Sequence, residues 1–164
     1  MKILAIDPGT TESAYVVFDG EEIIIKRKDP NSNTKAFLSF SDADILVIEM
    51  IASYGMPVGK EVFETCVFIG RMIEKWKVTS EPMHKPCILV YRKDIKMHIC
   101  GTMKAKDGNI RQALIDRFGE PGTKKNPGKT YGISSDIWQA LAVAVYAYDN
   151  MEKLIKNAEH PIVF

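Results

Sequence analysis

An apolar, β-branched run that stops on an acid and breaks at once into a turn occurs twice in this chain, and nothing else constrains its fold as much. Ile3-Leu4-Ala5-Ile6-Asp7 is followed by Pro8-Gly9-Thr10, and Asp44-Ile45-Leu46-Val47-Ile48-Glu49 leads into the loop Ala52-Ser53-Tyr54-Gly55-Met56-Pro57. Runs of this length and composition are buried strands. An acid at the last position of such a strand is half-desolvated, which costs free energy unless a cation compensates it. Two strands ending this way predict a sheet with carboxylates gathered at one end.

The remaining pattern predicts an α/β fold. With 164 residues and 46% hydrophobic content the chain can bury one sizeable core, so residues 1–156 are expected to form a single domain and 157–164 a tail. Ser13–Asp19 and Glu22–Lys26 read as a hairpin turning at Asp19-Gly20. A helix is expected over 59–77, with Val62, Cys66, Ile69, Ile73 and Trp76 on one face. Phe63, Val67 and Gly70 form a second stripe, which either a second copy of the chain covers or the domain encloses. Cys87–Tyr91 reads as a strand, Arg92–Ile99 as a short helix, and Asp107–Phe118 as a helix stopped by Gly119. A Gly/Pro/Lys-rich loop over 119–132 precedes a long Ala/Val-rich helix from Asp136 to about Lys156, with Ser134 and Ser135 as N-caps. No internal repeat is present. The order is a hairpin-bearing mixed sheet flanked by helices.

Charge and cysteine usage narrow the function. Net charge is only +1, so affinity for nucleic acid has to come from local clustering. Between Gly101 and Tyr131 seven cations face three acids, a local net of +4. Cys66, Cys87 and Cys100 are far apart, without a Cys-x-x-Cys pair, which fits a reducing cytosol rather than a disulfide framework or zinc knuckle. His84, His98 and His160 are scattered and read as structural or solvent-facing. The chain opens directly into a strand, and no apolar run approaches the ~20 residues of a membrane span. A soluble, unexported, cytoplasmic protein is the expectation.

Asp136, expected in the first turn of the last helix, is a third acid, placed where the helix dipole favours negative charge. Ala140, Leu141, Ala144, Val145 and Tyr148 give that helix an apolar face to lay on the sheet. If its N-terminus crosses the ends of the first two strands, Asp7, Glu49 and Asp136 converge. Carboxylates without a histidine or cysteine partner suit hard ions such as Mg²⁺ or Mn²⁺ rather than zinc. Two such ions ~4 Å apart can activate a water and hold the leaving oxygen in phosphodiester hydrolysis. The plainer alternative makes Glu49 a loop-edge acid and Asp136 a helix-terminus charge, each worth ~0.3–1 kcal/mol.

Three stretches carry a resemblance. Ile6-Asp7-Pro8-Gly9-Thr10, Val47-Ile48-Glu49 and Asp136-Ile137-Trp138-Gln139-Ala140-Leu141-Ala142-Val143-Ala144 resemble, in order, the first-strand, central-strand and C-terminal helix motifs of the RuvC-type Holliday junction resolvases of the retroviral-integrase/ribonuclease-H superfamily, in the short form carried by phages. Tyr91-Arg92 through Lys106 resembles that family's basic segment, so the similarity spans about residues 1–150. The resemblance implies a ribonuclease-H-like mixed five-stranded sheet, an N-terminal antiparallel hairpin and then parallel strands, flanked by helices. It implies a crossover junction endodeoxyribonuclease, acting in the host cytoplasm if phage-encoded. Such an enzyme is a homodimer that binds four-way junctions and cuts two strands symmetrically with Mg²⁺. Asp7, Glu49 and Asp136 then hold metal and carry catalysis. The departure is Gln139, where the family carries a fourth acid; an amide lacks the charge but can hold a metal-bound water.

Lys104, Lys106, Arg111, Lys124, Lys125 and Lys129 are the candidates for phosphate contact, the first choices being Lys106 and Arg111; their alternative is an ordinary solvated surface. Tyr54 and Met56 either present a wedge to an unstacked base or cap the core. Two rivals remain. Asp7-Pro8-Gly9-Thr10-Thr11 also resembles the first phosphate loop of actin-like sugar kinases, but a second glycine-rich loop and the length for two domains are missing, so no nucleotide cofactor is expected. A branched-DNA-binding module with a site decayed at Gln139 would bind junctions without cutting.

Overall fold

The computed structural model describes residues 1–53 and 55–158. Strands β1 (Ile3–Asp7), β2 (Glu12–Phe18), β3 (Ile23–Pro30), β4 (Ile45–Met50) and β5 (Cys87–Tyr91) form one sheet in the order β3-β2-β1-β4-β5. β1, β2 and β3 pair antiparallel, whereas β1-β4 and β4-β5 are parallel. Helices α1 (Asn31–Phe37) and α2 (Lys60–Thr79) cover one face; α3 (Arg92–Cys100), α4 (Asp107–Phe118) and α5 (Ile137–Asp149) cover the other, with α6 (Met151–Ala158) continuing from α5.

Strand alternation assigns the two faces. Leu4, Ile6, Leu46 and Ile48 pack with Phe68, Ile69, Met72 and Trp76 of α2, each side chain contributing ~1.5–3 kcal/mol by burial. Ile3, Ala5, Ile45 and Val47 pack against α5. Asp7 and Glu49 continue the second series, so the pleat aims both towards α5. Trp76 secures α2 further by donating from Nε1 to the carbonyls of Lys85 and Pro86 at 3.1 Å.

Several expected boundaries move. β3 runs to Pro30 instead of ending at Lys26, because Lys26, Arg27 and Lys28 lie on an edge strand whose polar side chains meet solvent. The polar run from Asn31, without apolar periodicity, nevertheless forms α1. The α2 face rotates to Thr65, Phe68, Ile69, Met72 and Trp76; Cys66 and Ile73 sit at its margin. Its second stripe is not enclosed, since Phe63 and Val67 are 61% and 56% exposed. The long last helix breaks at Asn150, whose side chain donates to the Tyr146 carbonyl at 2.9 Å and competes with the helical ladder. α6 reaches Ala158, two residues past the expected helix end near Lys156; of the expected tail at 157–164, residues 159–164, His160 among them, lie outside the described residues. α5 is buried nearly all round rather than on one face, since the sheet lies on one side and α3 and α4 on the other. No helix among the described residues is long and apolar enough to cross a membrane.

Candidate active site

The site lies at the carboxyl ends of β1, β4 and β5, where open α/β sheets bind ligands. β1 and β4 run side by side with Ile6 opposite Ile48, so one step further Asp7 and Glu49 sit on neighbouring strands. Glu49 is 8% exposed. The loop after β1 is fixed tightly. Asn31 donates from Nδ2 to the carbonyls of Gly9 and Thr10 at 2.9 and 3.0 Å, and accepts at Oδ1 from the Ser13 hydroxyl at 2.7 Å. Gly9 has to be glycine, because a Cβ there would collide with the Glu12 carbonyl oxygen.

Asp136 immediately precedes α5 as its N-cap residue rather than standing in the first turn, and Ser134 and Ser135 do not cap the helix. Ser135 sits at φ 47° with its hydroxyl 3.3 Å from Asp136 Oδ1, so it braces the acid instead. Asp136 pairs with Lys28 on β3 at 2.7 Å. Gln139, one turn into α5, is 6% exposed and faces the same end.

Arg92 ties this end together. As the first residue after β5 it stands beside Glu49, and its Nη1 donates to both Glu49 carboxylate oxygens at 3.3 and 3.2 Å. Its Nη2 donates to Gln139 Oε1 at 3.0 Å and to Asp107 Oδ1 at 2.5 Å. Burial first, then the Glu49 charge, push the Asp7 carboxyl up to about 8; Arg92 opposes this, while Asp136 and Asp107 add to it. Glu49 is also raised by burial, against the pull of Arg92. Glu49 and Asp136 therefore both act on Asp7, and its protonated form is favoured as long as no external cation offsets them.

The hard oxygen donors of Asp7, Glu49 and Asp136 are of the kind that suits a divalent cation with water completing its shell. The fit is incomplete: among the described residues no three acids, histidines or cysteines stand close enough to cage an ion unaided, and Glu49 and Asp136 are engaged by Arg92 and Lys28. Arg92, Asp107, Lys28 and Asn31 escaped the sequence reading. Arg92 was discoverable, since it follows an apolar strand directly, as the two acids end theirs.

The expected DNA contacts divide between the two ends. Lys104 and Lys106 are exposed in the segment between α3 and α4, next to Asp107. Arg111, one turn on, lies 5.7 Å over the Trp138 ring of α5. Lys124 and Lys125 project from a turn closed by Thr123 and Asn126 in the loop between α4 and α5. Lys129 stands at the opposite end of the sheet, paired with Glu22 at 2.7 Å and donating to the Glu21 carbonyl. Met56 is 73% exposed and does not cap the core. Tyr54 lies outside the described residues.

Neither a protein-family model nor a curated protein sequence matches the chain. Solved structures that share its fold include Thermus thermophilus RuvC, at 14% identity with a TM-score of 0.63, and T. thermophilus RuvC in complex with a Holliday junction substrate, at 14% and 0.65. Each superposition covers 93% of this chain and 96% of the other. The chain thus has the RuvC-type, ribonuclease-H-like fold, a mixed five-stranded sheet flanked by helices.

Proposed function

We propose that this protein is a divalent-cation-dependent, structure-selective endonuclease that resolves Holliday junctions and other branched DNA by phosphodiester hydrolysis. The observation that supports this reading is that Asp7 and Glu49 end adjacent strands and that Asp136, at the start of α5, acts electrostatically on Asp7, in a chain with the RuvC-type fold. Asp7, Glu49 and Asp136 would hold Mg²⁺, or Mn²⁺ in its place. A cation there would supply positive charge to the phosphate as negative charge builds on its oxygens. In the reaction a water oxygen bonds to phosphorus while the bond to one strand's oxygen breaks; the water's proton leaves to solvent and the freed oxygen takes one up. Asn31 and Ser13 hold the Asp7 loop in place, and Gln139 presents its amide oxygen to Arg92.

Lys104, Lys106 and Arg111 border the site and would grip phosphates, with Lys124 and Lys125 reaching further along the backbone. Met56, with Tyr54 two residues earlier in sequence, would meet the unstacked bases at the crossover. A homodimer, giving one site per cut strand, would use the exposed Phe63 and Val67 stripe of α2.

The test is cleavage of an end-labelled synthetic four-way junction in Mg²⁺ and in Mn²⁺, with Asp7→Asn and linear duplex as controls. Paired nicks at the crossover that vanish in Asp7→Asn are expected. The neutral Gln139, held by Arg92, favours one second reading, a branched-DNA-binding module. Tight junction binding without nicks in either metal would establish that instead.

A further inference from the structure

The geometry points to Arg92 as a built-in cation that takes the place of a second metal ion, so that each subunit binds a single divalent cation. This role rests on the nuclease activity proposed above and concerns how its site is charged. Five carboxylates, Asp7, Glu49, Asp136, Asp107 and Glu12, act at this end of the sheet. Three cations answer them, Arg92, Lys28 and Lys96. Once Asp7 gives up its proton to an incoming cation, two negative charges remain, the charge of one divalent ion.

The guanidinium is held in place as a ligand-bound ion would be. Its site is fixed by the chain, because Arg92 follows β5 directly, and β5 pairs in register with the strand that carries Glu49. Its side chain is 29% exposed and contacts three elements at once: Glu49 on β4, Asp107 at the start of α4 and Gln139 on α5. A planar, permanently charged fork suits this bridging better than lysine's single ammonium. The amide at 139 follows from the same arrangement. With Arg92 donating to it, the position needs an acceptor oxygen but no further charge, and Gln supplies the oxygen alone. A carboxylate there without Arg92 would be a sixth acid against Lys28 and Lys96 alone, leaving four uncompensated charges, enough for two divalent ions. Arg92 makes and breaks no bond; it positions Glu49 and compensates its charge.

Counting bound Mn²⁺ by electron paramagnetic resonance, on the full chain without DNA, tests this directly. The native chain is expected to bind one ion per subunit, and so is Arg92→Lys. The double variant Arg92→Gln/Gln139→Asp is expected to bind two. A native count of two would overturn the role of Arg92, and so would a double variant that folds but still binds one. Should the double variant lack a cooperative melt, the native count decides alone: one supports the role and two overturns it. Junction cleavage by the same native sample separates the two proposals. Cleavage with two ions bound removes only the role of Arg92. One ion bound without cleavage removes the nuclease activity and leaves the charge count standing. No ion bound removes both.

Discussion

The two ends of the sheet treat their acids in opposite ways. At the end bearing the β2-β3 turn and the close of α4, Asp149 and Asp19 are satisfied within the protein. Asp149 accepts two bonds from Arg117, at 2.6 and 2.9 Å, and one from His98 at 2.8 Å, and the Arg117 bond above all holds its carboxyl below the usual range. Asp19 is lowered by backbone amides of Glu22 and Glu21. At the carboxyl ends of β1 and β4 the same residue types are raised, Asp7 to about 8. One end is closed by its own hydrogen bonds; the other is left with charge that an external cation can relieve. Asp7 and Glu49 are thus set apart from Asp149 and Asp19 by the sign of the shift rather than by residue type.

The largest effect that would break this contrast is at Asp7. Asp7→Asn is expected to lower junction cleavage by at least about 10³-fold, some 4 kcal/mol of transition-state stabilisation. The same substitution is expected to stabilise the metal-free protein at pH 8 by about 1 kcal/mol or more, or about 2–4 °C in melting temperature. Activity and stability moving in opposite directions mark a site residue; a loss of both in thermal melts would make Asp7 a structural acid.

The pH dependence sharpens it. In the unfolded chain Asp7 ionises near its ordinary value of about 3.9, whereas in the folded chain it does so near 8. Between those values the unfolded state has already lost a proton that the native state keeps. The contribution of Asp7 is therefore fully present below about pH 4 and is lost as pH rises towards 8. Asp149 runs the other way, its contribution present above about pH 4 and lost as pH falls through its lowered folded value. Melts in EDTA from pH 4 to 9 should show the decline towards pH 8 in the native chain and not in Asp7→Asn, and Mg²⁺ should reduce it by binding the ionised form.

At the closed end, Asp149→Asn should cost about 1–3 kcal/mol at pH 7, because it breaks a bidentate, partly buried contact linking α3, α4 and the end of α5. Cleavage at a temperature where the variant remains folded should stay within about twofold, and a greater loss of rate would couple the two ends.

What the sequence makes legible follows from how local each signal is. β1, β4 and β5 are short apolar runs; helices bury β1 and β4 on both faces and half-bury β5 at the sheet edge, so they announce themselves. The strand-end position of Asp7 and Glu49 follows from the same runs. β3 hides because edge strands carry charge, and α1 because Asn31-Ser32-Asn33-Thr34 lacks periodicity while Asn31 serves the loop after β1. Arg92, Lys28 and Asp107 were invisible as a group because their partners lie 43, 108 and 15 residues away in sequence for Arg92–Glu49, Lys28–Asp136 and Arg92–Asp107 respectively. Such pairs are set by topology rather than by neighbouring residues. The break at Asn150 depends on one side chain outcompeting a ladder bond, a balance too fine for helical periodicity to register.

The smallest expected effects come from the lysines, and they put the same two ends against each other. Lys106 is exposed next to Asp107 at the acid-bearing end, whereas Lys129 is engaged by Glu22 at the other. If DNA lies across the acids, Lys106→Ala should weaken junction binding by about 3–10-fold and lower the salt slope by about 0.9, the release of one phosphate counterion. Lys129→Ala should change binding by less than about twofold and leave the slope as it was, since its charge is already spent on Glu22. Fluorescence anisotropy of a labelled junction over a series of salt concentrations reads both quantities. Equal slopes lost at both positions would mean that DNA wraps the whole sheet instead of docking at one end.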